Sequence, residues 1–257
     1  MKKTPALTGW IWVKEGFILF RKQPAHFMML FTGYLFVMFG IGIIPILGQL
    51  LPLVLAPVFT MIFMLACERV DRNEGYTLSM LLSRLRPPAI QKLLKLGGLY
   101  AVAAVVAIAI SSLADGGTFW LAMSGQIQLD SENVRQSGMM NTLLIAGALY
   151  LPAAMAFWFA GPLIVWRKMG VFKAIFYSFF AVFHTGRAFL VYAIAWIVVG
   201  MILPALLSVL LVLLIGKGAA VMMLMFLASI LLTVVMYCSF YPTYIHVFGR
   251  PDESEPL

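Results

Sequence analysis

The side chains that could do chemistry are few and fall into small groups. Glu68, Asp71 and Glu74 recur at spacings of three. On a continuing helix they would share a face, and paired carboxylates can do acid–base work. Arg69 and Arg72 interleave with them, and the segment reads as exposed loop, so solvated charges are expected. His26, His184 and His246 each fall beside an apolar stretch. A metal would need them to converge with outer hydrogen-bonding partners, and scattered interfacial histidines are the commoner case. Cys67 ends one apolar segment and Cys238 lies inside another, without zinc-type spacing. They read as buried thiols acting as small hydrophobes. No Ser-centred nucleophile motif, His-Glu-x-x-His, phosphate loop or dinucleotide fingerprint occurs. No catalytic residue, metal or cofactor is therefore expected.

Basic residues form the remaining group. Arg21, Lys22, Arg84, Arg86, Lys92, Lys95, Arg167, Lys168 and Arg187 all approach the ends of apolar segments. Each can contribute about 1 kcal/mol of attraction to an anionic leaflet. Ordinary orientation charge is the plainer account of the same residues. The net charge of +8 is scattered between apolar runs and forms no basic domain, which argues against nucleic acid. Membrane lipids, or another membrane protein, are the partners this pattern implies.

The elements that carry these residues are set by composition. The 257-residue chain is 63% hydrophobic and 11% charged, with mean hydropathy +0.99. Soluble domains are about 45–50% apolar and about 25% charged, so a bilayer must solvate the outward faces. Six segments have roughly the 20 apolar residues a span requires: 26–44, 49–67, 96–113, 140–166, 188–215 and 219–247. The last three are long, and tilt or kinks at Pro152, Pro162, Pro204 or Pro242 are expected. No span centre holds Asp, Glu, Lys or Arg. Lys14 and Glu15 interrupt the first apolar stretch, so the N-terminus does not read as a cleaved signal. The connections alternate in charge, with sixteen of the eighteen basic residues on one side and only Arg135 and Lys217 on the other. That asymmetry places both termini in the cytoplasm. The long 114–139 connection, with Phe119 and Trp120, reads as a solvated outer loop.

Three further segments are periodic but too polar to span: 8–22, 77–86 and 171–184. The first gathers Trp12, Gly16, Leu19 and Phe20 on one face. The second gathers Leu78, Leu81, Leu82 and Leu85, and the third Phe172, Ile175, Phe176, Phe179 and Phe183. Such helices lie in the interface, apolar face toward the membrane and basic residues toward headgroups, or else pack as caps on the bundle, and the pattern fits both. Each precedes two spans, giving three helix-plus-hairpin units at about 8–67, 77–166 and 171–247. The second span of each carries Ala56-Pro57, Gly161-Pro162 or Tyr241-Pro242. The expected fold is an all-α integral membrane protein with six transmembrane helices and three amphipathic interfacial helices. It forms a single membrane domain over 1–248 with a cytoplasmic tail at 249–257.

The opening Gly9-Trp10-Ile11-Trp12, followed by Gly16-Phe17-Ile18-Leu19-Phe20-Arg21-Lys22-Gln23-Pro24, resembles an uncharacterised family of Gram-negative bacterial inner-membrane proteins. The layout is more distantly similar to the membrane domain fused to some glycerophosphodiester phosphodiesterases, whose soluble domain is absent here. The motif covers only the first 24 residues or so, and the architecture most of the chain. The resemblance implies an inner-membrane location and carries over no catalytic residue. Three functions are then open. A non-enzymatic protein that binds headgroups or a partner at its basic rim fits best. A small transporter or flippase-like permease is the alternative, through proline-broken spans. An intramembrane enzyme fits least.

Overall fold

Apolar residues in runs of this length form helices in a bilayer, because each backbone group must find its partner within the segment. The computed structural model describes residues 5–44, 47–112, 139–216 and 218–251, and among them every regular element is a helix. They are α1 (Thr8–Lys22), α2 (Pro24–Gly42), α3 (Leu47–Asp71), α4 (Leu78–Arg84), α5 (Ala89–Ser112), α6 (Met139–Trp158) and α7 (Ala160–Val165). Then come α8 (Val171–His184), α9 (Gly186–Ile197), a π turn (Val198–Ile202), α10 (Leu203–Ile215) and α11 (Ala219–Phe248). Five stretches are long and apolar enough to cross a membrane: Pro24–Gly42, Leu50–Asp71, Ala89–Ala107, Gly186–Ile215 and Ala219–Phe248. The outer connection with Phe119 and Trp120, the Pro45 turn, Lys217 and the tail past Pro251 lie outside the described residues.

The expected helix at 140–166 is broken into α6 and α7 at Phe159. Pro162 has no N–H to offer the Trp158 carbonyl, which opens the ladder there. A side chain also enters it. Ser178 Oγ accepts from Phe159 N–H at 2.9 Å and donates to the Met155 carbonyl at 2.9 Å. Those two backbone groups would bond each other in an unbroken helix. Farther along, the π turn at Val198–Ile202 comes just before Pro204. A wider turn there accommodates the Gly200 carbonyl that Pro204 cannot serve.

The amphipathic helices pack in different ways. α1 lies against α9 and α11, and its expected face of Trp12, Gly16, Leu19 and Phe20 is buried. Gly9 and Gly16 make this approach possible. A Cβ at Gly9 would run into the Ala188 carbonyl, and one at Gly16 would sit 2.6 Å from Ser239 Cβ. In α4 the expected stripe divides, with Leu81 and Leu85 buried but Leu78 and Leu82 exposed. α8 does not turn its phenylalanine face into the bundle. Phe172, Phe176 and Phe183 point outward, and Ala174, Ser178, Ala181 and Val182 are buried instead. Small residues let α8 lie close on α6 and α7, while the phenyl rings take the lipid-facing side.

The core is built from the C-terminal halves of α3 and α11 and from α7, with Phe27 and Phe31 of α2 and Leu93 and Leu96 of α5. α3 crosses α5 at backbone distance, because a Cβ on Gly97 would collide with the Val54 carbonyl. Cys67 and Cys238 are both buried and free. Pro242 leaves the Cys238 carbonyl without its helical donor, and the Cys67 thiol takes that place at 3.8 Å.

Candidate functional site

α3 does not stop at the first charge but runs to Asp71. This corrects the reading of Glu68 and Asp71 as solvated loop, whereas Glu74 lies past the helix end and is exposed. Glu68 is only 2% exposed. A buried carboxylate must be paired and hydrogen-bonded, and three donors from three elements meet that need. Arg72, one turn on, lies 3.1 Å away, Arg84 of α4 lies 3.6 Å away, and Trp166 Nε1 after α7 donates at 3.1 Å. Asp71 pairs with Arg250 at 3.2 Å and accepts from the Tyr241 hydroxyl at 3.4 Å. Glu74 pairs with Arg69 at 2.6 Å. The carboxylates are thus distributed among separate cations, and no two face each other for proton exchange.

The same contacts bring one set of helix ends together. Lys22 at the end of α1 donates to the Val70 carbonyl at 3.4 Å and to Asn73 Oδ1 at 3.1 Å. Lys92 in α5 donates to the Met169 carbonyl at 3.3 Å. Arg167 donates to the Phe248 carbonyl at 2.8 Å, where a cation complements a helix C-terminus. Six of the nine candidate cations are placed by these contacts or as immediate chain neighbours, Arg86 and Lys95 follow within a turn of Arg84 and Lys92, and Arg187 opens α9 near the N-terminal end of α1. Four of the nine, Lys22, Arg84, Lys92 and Arg167, are thereby tied to other elements. Arg21, Arg86, Lys95, Lys168 and Arg187 are exposed.

The histidines do not converge. His26 stacks edge-on to Tyr76, His184 Nδ1 meets the Phe180 carbonyl at 2.7 Å, and His246 lies 3.1 Å from Glu15. Among the described residues no three His, Cys, Asp or Glu side chains are placed to hold a metal. Two participants were missed in the sequence. Trp166 is one: its role depends on Glu68 ninety-eight residues earlier, and no spacing signals it. Ser178 is the other, since nothing local marks it as the residue that opens α6. The Glu68–Arg72 pair, by contrast, has the i,i+4 spacing of a helical salt bridge.

A cavity of about 400 Å³ lies among α3, α5, α6, α7 and α11. Tyr100, Tyr150 and Tyr237 bring hydroxyls to it, Pro57 and Pro162 line it, and no charged residue does.

The chain is 37% identical over 259 aligned residues, covering 98% of it and 94% of the relative, to a probable inner membrane protein of Burkholderia thailandensis. No family model matches the chain. No solved structure matches it.

Proposed function

The chain belongs to the same family as that Burkholderia thailandensis inner membrane protein, and from this we propose that it works as a non-enzymatic, integral inner-membrane protein whose basic end engages anionic headgroups or a partner protein. The carrying observation is the division of the nine cations. Four are used to hold helix ends together, and Arg21, Arg86, Lys95, Lys168 and Arg187 remain exposed around them. An exposed cation near an anionic leaflet gains about 1 kcal/mol.

We place this end in the cytoplasm, with both termini, on the charge asymmetry. α6 and α7 together make the sixth span in this reading. The three-unit arrangement is supported by where the short helices dock. α4 packs on α3, α8 on α6 and α7, and α1 on α11. Each unit's short helix thus meets the second span of the unit before it, and the first unit's meets that of the last.

The test uses protein in vesicles containing brominated phosphatidylglycerol or phosphatidylcholine, read by tryptophan quenching. The variant Arg86→Gln, Lys95→Gln, Lys168→Gln and Arg187→Gln leaves the tied cations intact. Loss of the preference for phosphatidylglycerol supports headgroup engagement. An unchanged preference with loss of an in-cell cross-link supports a partner. If neither changes, the reading is overturned.

A small permease is the second reading, favoured by the cavity of about 400 Å³ between the proline-bearing helices. Ala154→Trp fills that cavity and should abolish vesicle uptake of any substrate the parent carries.

A further inference from the structure

A second hollow, of about 570 Å³, lies on the other side of α3, between it and α2. His26, Gly33 and Val37 mark its course along α2, Phe59 and Phe63 of α3 form its floor, and Tyr76 closes one end. It opens outward, since Met29 on its lip is 78% exposed. α2 lies in a membrane-length stretch, so the opening faces acyl chains. From His26 to Val37 the groove follows α2 for about 16 Å at 1.5 Å per residue. A single leaflet of a hydrocarbon core about 30 Å thick has nearly that depth.

Apart from Tyr34 midway along α2, the polar residues of the groove gather at one end. There the His26 and Tyr76 rings meet edge to face at 5.8 Å. The Tyr76 hydroxyl is buried and has no hydrogen-bond partner among the described residues. Burial pushes the phenol's pKa up, so the hydroxyl keeps its proton and can donate. An unpaired buried hydroxyl is costly to a fold unless something outside the chain completes it. Cations stand at the same end. Lys22 is held by Asn73, three residues before Tyr76, and Arg21 beside it is exposed. The acids of that loop are occupied elsewhere, Glu74 by Arg69 and Asp71 by Arg250 and Tyr241.

We propose that this groove seats one acyl chain of an anionic phospholipid, its phosphate accepting from the Tyr76 hydroxyl and facing Arg21 and Lys22. The depth is that of one leaflet, the body is apolar but for Tyr34, and the end at His26 and Tyr76 offers a donor and two cations. The inference deepens the headgroup reading of the basic end by naming one lipid site within it, but it does not use Arg86, Lys95, Lys168 or Arg187.

Native mass spectrometry of the full chain in mild detergent tests it, with phosphatidylglycerol and phosphatidylcholine of equal chain length as probes. The parent should retain one phosphatidylglycerol about tenfold or more tightly than phosphatidylcholine, from two cations. Gly33 has open space where a Cβ would point, so Gly33→Phe should project into the groove and release both lipids. Tyr76→Phe removes only the unpartnered hydroxyl and leaves the fold intact. It and Arg21→Gln should each weaken phosphatidylglycerol about fivefold and leave phosphatidylcholine unchanged. Equal retention of the two lipids by the parent overturns the proposal, as does unchanged phosphatidylglycerol binding in Gly33→Phe or Tyr76→Phe. The four-site rim variant should keep this one lipid, which separates failure of the groove from failure of the rim.

Discussion

Glu68→Ala is the perturbation with the most to lose at the basic end. The carboxylate is 2% exposed and holds Arg72, Arg84 and Trp166 at once. Truncation leaves the Trp166 N–H without its acceptor, at a cost of about 1–3 kcal/mol. The two arginines are less affected. Their side chains are 34% and 44% exposed, so they rehydrate, and each pair counts at the surface value of about 0.2–1 kcal/mol. The loss should therefore be about 2–4 kcal/mol, below the roughly 3–5 kcal/mol of orphaning a fully buried charge. On the scale of soluble chains of 150–250 residues, that lowers the melting temperature by about 5–15 °C. Glu68→Gln keeps an acceptor for Trp166 and loses only the charge, so about 1 kcal/mol and about 2–4 °C are expected. The chain supplies its own reporter, because Cys67 and Cys238 are both buried. A fluorogenic maleimide reacts with them as the fold opens in detergent, and heat-induced loss of the monodisperse peak checks that the opening is global. Glu68→Ala melting with the parent would refute the account. Glu68→Gln falling as far as Glu68→Ala would refute the share given to Trp166.

Two neighbouring glycines of α5 should behave in opposite ways. Gly97→Ala drives a methyl into the Val54 carbonyl and should cost about 1–3 kcal/mol or more in the same melting assay, whereas Gly98 faces open space and Gly98→Ala should stabilise by about 0.5–1 kcal/mol. Equal effects would remove the close α3–α5 crossing. Ser178→Ala strands Phe159 N–H and the Met155 carbonyl and should destabilise by about 1–3 kcal/mol. A neutral result would mean that the ladder re-closes and that the hydroxyl does not hold α6 open.

What could be read in advance depended on which solvent a face meets. Long apolar runs located five membrane-length helices, because the bilayer sets their length, while the run at 140–166 is broken at Phe159. Periodicity found the buried face of α1, since Trp12, Leu19 and Phe20 turn toward other helices. The same periodicity found the face of α8 but left its direction open. It identified Phe172, Phe176 and Phe183 as one face, and the structure leaves that face exposed while Ala174, Ser178 and Ala181 pack inward. In water the larger residues would have gone inside. In lipid, close packing favours the small ones. The basic end was legible as charge asymmetry, but the fate of each cation was not. Arg84 is separated from Glu68 by sixteen residues and Arg167 from Phe248 by eighty-one, and only the fold brings them together.

The prolines connect these observations. α7 and α11 carry Pro162 and Pro242 and α3 carries Pro52 and Pro57, and each proline frees a carbonyl one turn earlier. At Pro242 the Cys67 thiol serves the Cys238 carbonyl. Beside Pro162 the Ser178 hydroxyl serves both groups of an opened bond. Such donors inside a membrane fold satisfy backbone that would otherwise be unpaired in hydrocarbon. A side chain committed to repairing the ladder has no proton left for a substrate. The tyrosines that line the central cavity and Tyr76 beside the second groove serve no broken helix. Of these, Tyr76 alone combines an unpartnered buried hydroxyl with adjacent cations. It is therefore the position where a conservative substitution, Tyr76→Phe, separates a ligand-facing group from a structural one.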